Sequence, residues 1–140
     1  MQANYYVSDT NYGWGPAYGP ENVPVGDMTD IGQWWVWFRS PESATIMDRV
    51  YKEDGQLSTY TRFGSSPGGE NEIIMFKSCF PNSVLLGSVN DPIPSIDTNP
   101  LKGDGAGSEY HTVANAKGIY LDLLEYFKTR PDKLFIIVTA

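Results

Sequence analysis

A chain of 140 residues can bury the core of one domain but not of two. Hydrophobic residues make up 41% and aromatics 14%, enough for a packed core and too much for disorder along the whole length. A net charge of -7 without any cluster of Lys and Arg argues against DNA, RNA and anionic membrane as partners, and no apolar run approaches the ~18 residues of a membrane span.

In chain order, Met1-Gln2-Ala3-Asn4 lacks the basic and apolar regions of a secretory signal. The chain therefore reads either as cytoplasmic or as a piece of a longer secreted protein. Residues 4–8 predict a short strand with Tyr5 and Val7 on one face. Gly, Pro, Asn and aromatic residues interleave over 9–26, which is loop chemistry, and Tyr12, Trp14 and Tyr18 there need packing partners. Residues 26–38 are the most aromatic stretch. Their indoles have two readings: core filling, or a sugar-stacking platform, because aromatic faces pack on the apolar faces of pyranose rings. On the second reading Trp14, Asp27, Asp30 and Trp34 touch substrate. Asp27 and Asp30 are spaced to pair as acid and base, while Asp30 equally fits the N-cap of the segment that follows.

Ser40-Pro41-Glu42 predicts a helix start, with Ser as cap and Pro in the first turn. The helix runs to about Lys52 on this reading, with Ala44, Met47, Val50 and Tyr51 inward, and Glu53-Asp54-Gly55 ends it. Residues 56–69 are a polar loop without a phosphate-binding pattern.

The stretch 72–83 reads as a strand running into a reactive turn. Ile73-Ile74-Met75-Phe76 is continuously apolar, which predicts burial on both faces in a parallel sheet covered by helices. Ligands in such sheets bind beyond the carboxyl ends of the strands, so Lys77, Ser78, Cys79 and Asn82 fall where chemistry is expected. Cys79 is the one cysteine, which rules out an internal disulfide, and one Cys with one His leaves no zinc-ligand spacing. No metal and no cofactor is expected. Ser78 or Cys79 as nucleophile needs a base or a depressed pKa, and Lys77 and the distant His111 make no recognisable dyad with them. A buried structural thiol is the alternative for Cys79.

Residues 83–110 form a long connection, a length that tends to be functional or mobile. His111 follows, as a general base or as a surface or capping residue before Thr112. A helix is predicted over 112–129: Val113, Ala116, Tyr120, Leu123 and Phe127 repeat at helical spacing, and Ile119 and Leu124 widen the stripe. Pro131 stops it, and residues 133–138 give a second strand. Strand, helix and strand make a βαβ unit. With no further helix after it to cover the sheet, residues 1–140 read as one partial domain.

Four stretches together resemble a family of bacterial proteins with an SGNH/GDSL-hydrolase-like domain. They are Tyr6-Val7-Ser8-Asp9-Thr10-Asn11-Tyr12-Gly13-Trp14-Gly15, Gly26-Asp27-Met28-Thr29-Asp30-Ile31, Met75-Phe76-Lys77-Ser78-Cys79-Phe80-Pro81-Asn82-Ser83 and residues 130–140. The resemblance implies a three-layer α/β sandwich with a parallel sheet, SGNH- or flavodoxin-like, and an esterase activity that includes deacetylation of carbohydrates. It implies Asn82 as an oxyanion donor and Gly13 as a second. The Gly-Asp-Ser stretch, the Gly-x-Asn-Asp around the Asn and the C-terminal Asp-x-x-His are absent. The expectation is a middle section of a serine esterase, inactive alone, with a small-molecule or carbohydrate ester as its parent's substrate. The alternative is a noncatalytic carbohydrate-binding or interaction domain using Trp14, Trp34, Trp35 and Trp37.

Overall fold

The computed structural model describes residues 5–19, 22–55, 65–79 and 84–138. They form a mixed α/β structure in which one two-stranded sheet is parallel and a smaller one is antiparallel. Residues 5–8 are not a strand, and Asp9 is held instead by its N–H donating to the Gly55 carbonyl at 3.0 Å. The small sheet pairs β1 (Ala17–Tyr18) with β2 (Val23–Pro24).

Helix α1 (Ile31–Arg39) starts at Asp30, which forms a reciprocal capping box with Gln33; the Asp30 N–H donates to Gln33 Oε1 at 3.2 Å. Such a box satisfies two backbone donors that the first helical turn leaves orphaned. The helix stops at Ser40, whose hydroxyl donates to the Val36 carbonyl and accepts from the Glu42 N–H. The Ser-Pro-Glu turn leads into α2 (Ser43–Tyr51), which buries Ile46, Met47, Val50 and Tyr51. Ala44 is exposed, because it stands roughly 90° round the helix from the centre of that stripe.

Strand β3 (Ile73–Lys77) pairs in parallel with β4 (Leu134–Val138), Ile73 beside Leu134 and Lys77 beside Val138. Between them runs α3 (Val113–Lys128), capped by the Thr112 hydroxyl accepting from the Asn115 N–H at 3.1 Å. Its inner face carries Ala116, Ile119 and Leu123, whereas Leu124, at the margin of that stripe, is exposed.

The core lies between the sheet and the helices, with α1 packed against both α2 and α3. Phe38 is its centre. Phe76, Phe127 and Tyr126 have ring centroids 5.2, 5.3 and 5.4 Å from it. Ile74, Phe76, Phe135 and Ile137 point into this core. The opposite face of the sheet is open: Met75 is 52% and Leu134 54% exposed, with Ile73 and Val138 beside them also exposed. The expected burial on both faces is therefore corrected. Among the described residues the helices cover one face, and strand alternation sends every second apolar side chain outward.

Candidate functional site

In the βαβ unit β4 begins beside the start of β3, and α3 ends a short turn before β4. Sixteen helical residues rise roughly 24 Å, so α3 begins near the carboxyl end of β3. Ser78, the first residue beyond β3, is buried. Cys79 is half-buried, and its N–H donates to the Thr29 carbonyl at 3.0 Å, tying the strand exit to the residue before the α1 cap. Further along, the Leu86 N–H donates to the His111 carbonyl at 3.0 Å and the Val113 N–H to the Leu86 carbonyl at 2.9 Å. One end of the sheet thus gathers the strand exit, the start of α1 and the start of α3.

Asn82, with Phe80, Pro81 and Ser83, lies outside the described residues. His111 is neither a surface residue nor a cap: it is 8% exposed, and Thr112 supplies the cap. The ring is enclosed just before the start of α3, and its Nε2 has no hydrogen-bond partner among the described residues. An orphaned buried polar atom of this kind costs ~1–3 kcal/mol. No hydrogen bond joins Ser78 to His111, so the two form no nucleophile–base pair here.

Gly13 and Asp27 serve each other. The Gly13 N–H donates to Asp27 Oδ1 at 2.8 Å, which leaves Gly13 no backbone proton for an oxyanion and makes Asp27 a clasp on the 11–15 loop. Asp30 is the α1 cap. For Trp34 the core-filling reading holds and the substrate-stacking one is corrected: at 2% exposure it is core, edge-on to Phe76 at 4.7 Å, and offers no face to a ligand. Trp35 lies under Lys102, whose Nζ is 5.1 Å from the ring centroid, and Trp37 stacks on Trp14 at 6.4 Å with 26° between planes.

Trp14 lines a cleft of about 300 Å³ together with Gly15, with Asp48 and Arg49 near the end of α2, and with Lys52, Glu53 and Asp54 after it. The Trp14 indole N–H donates to Glu53 Oε2. The cleft belongs to the amino end of β3, because Asn71, two residues before the strand, donates through Nδ2 to the carbonyls of Val50 and Glu53. Trp14 is therefore not brought to Ser78, Cys79 and His111. Arg49, Glu53 and Asp54 were not singled out as site residues from the sequence, where Glu53-Asp54-Gly55 reads only as a helix stop.

A second charged group surrounds Tyr51. The Arg130 guanidinium lies 4.2 Å and Lys133 Nζ 4.9 Å from its ring centroid, and both cations pair with Glu70 and Asp132. Burial and the hydroxyl of Tyr126, 2.8 Å away, hold the Tyr51 phenol well above the usual tyrosine range. This is a structural knot rather than a reactive one, since every charge in it is answered. Among the described residues no group of three or more His, Cys, Asp or Glu side chains is arranged to hold a metal ion, and no helix is long and apolar enough to cross a membrane.

Comparison of the chain with protein-family models, with curated proteins and with solved structures found no match.

Proposed function

We propose that the chain is the middle section of an SGNH/GDSL-like ester hydrolase, an incomplete three-layer α/β sandwich whose parent cleaves an ester on a carbohydrate. The observation that carries this reading is the convergence at the carboxyl end of β3, where Ser78 and Cys79, the start of α1 and His111 at the start of α3 lie around one end of a parallel sheet. That is where ligands bind in open parallel sheets. The open face of Ile73, Met75, Leu134 and Val138 supports the incompleteness, because parallel sheets ordinarily bury both faces. On this reading Asn82 is the oxyanion donor, and the nucleophile and its Asp-His partners come from elsewhere in the parent.

The first test is the reading frame on either side of this chain. A strand ending in Ser upstream and an Asp-x-x-His downstream support the reading; their absence from both flanks overturns it. In the polypeptide that includes those flanks, Asn82→Ala is expected to lower kcat/KM for p-nitrophenyl acetate by about 100-fold, the usual effect of deleting one oxyanion donor. An unchanged rate removes Asn82 from the mechanism.

A further inference from the structure

The cleft beside Trp14 stands apart from the proposed reaction centre, at the other end of β3, so what it binds is independent of the ester reading. Its indole is fixed before any ligand arrives. The edge is bonded to Glu53, one face stacks toward Trp37, and the Trp14 carbonyl accepts from the Gly26 N–H at 2.8 Å. Gly26 makes that approach possible, since a Cβ there would stand 2.2 Å from the Asn11 carbonyl oxygen and 2.8 Å from the Trp14 nitrogen. An aromatic surface held this firmly loses little freedom on binding.

The polar groups around it are partly committed. Lys52 pairs with Asp48 at 2.6 Å, and Glu53 accepts from both the Trp14 indole and the Gly55 N–H. Arg49 and Asp54 keep a guanidinium and a carboxylate without a partner among the described residues. The cleft therefore offers one strong donor group and one strong acceptor group beside an apolar ring. An anion meets Glu53 and Asp54, and a cation meets Arg49 and Lys52, so a strongly charged ligand of either sign encounters like charge. A neutral ring with an apolar C–H face and hydroxyls on its rim satisfies the indole, the guanidinium and the carboxylate together.

We propose that the Trp14 cleft is a saccharide-binding subsite, in which one neutral pyranose stacks on the indole and Arg49 and Asp54 bond its hydroxyls. The test is isothermal titration calorimetry of the whole chain with cellotetraose, xylotetraose and chitotetraose. At least one of the three is expected to bind. Trp14→Ala is expected to weaken that binding about tenfold, a change of ~1.4 kcal/mol. Because Trp14 also packs on Trp37, the deciding variant is Arg49→Ala/Asp54→Ala, which alters two exposed side chains and is expected to weaken binding at least as much, with an unchanged circular dichroism spectrum. The proposal is overturned when none of the three sugars binds, or when binding is undiminished in the double variant. Binding is read on this chain and ester turnover on the polypeptide that includes the flanks, so the subsite and the esterase reading fail separately.

Discussion

Tyr51 sits between two cations, and each cation is met by a carboxylate. Lys133, with only 4% of its side chain exposed, bonds Glu70 at 2.8 Å, and Arg130 bonds Glu70 and Asp132 at 3.0 and 2.8 Å. The bond from Arg130 holds the Asp132 carboxyl down at about 2, and Lys133 and then Arg130 lower Glu70. Carboxylates depressed in the folded state stabilise it above their unfolded values of about 4, and that contribution is lost as pH falls through the folded ones. The melting temperature is expected to drop between about pH 4 and pH 2, and Arg130→Ala to flatten that drop. Thermal unfolding followed by circular dichroism checks this, and an equally steep fall in the variant assigns the acid sensitivity elsewhere. None of the knot was visible in the chain order, where Tyr51 reads as one more inward side chain of its helix and Arg130 lies some eighty residues away. The site residues share that history. Asp30 as a cap was legible, because a cap is a local signal, whereas the Gly13–Asp27 clasp and the burial of His111 depend on how distant loops meet.

Helix α1 is set against its neighbours at close range. A Cβ on Gly32 would lie 2.1 Å from the Leu101 carbonyl oxygen and 2.6 Å from that of Asp104, both backbone atoms that a side chain cannot push aside cheaply. Gly32→Ala is expected to destabilise the fold by about 2 kcal/mol through overpacking. The sheet offers the opposite case. Met75→Lys, on the open face, is expected to change stability by less than ~0.5 kcal/mol, as exposed substitutions usually do. Urea unfolding of both variants tests them together. A loss of more than about 2 kcal/mol from Met75→Lys shows that this face is covered in solution. At this scale α3, β3 and β4 were readable from their periodicity and their turn residues. Leu124 and Ala44 were not, because both stand at the margin of an apolar stripe, and which margin is covered depends on the neighbouring element. The continuous apolar run of β3 marks it as a strand of a parallel sheet, but it carries no record of which face a second layer covers.

The molecule as a whole is held by one aromatic core in which α1, α3 and the sheet meet at Phe38. Phe38→Ala is expected to destabilise by about 4 kcal/mol, a transfer and cavity effect at a fully buried site, and Trp35→Ala, on a half-buried ring, by clearly less. Equal losses in urea titrations would contradict a core centred there. The sequence by itself determined the acidic composition, the capped start of α3, and the two strands of the parallel pair, because each rests on residue chemistry or on spacing within a dozen neighbouring positions. Only the tertiary structure decided that Trp34 is core while Trp14 lines a cleft, that His111 is enclosed, and that one face of the sheet stands open. Those outcomes depend on which surfaces exclude water from one another, and that is a property of the packed chain rather than of any local stretch.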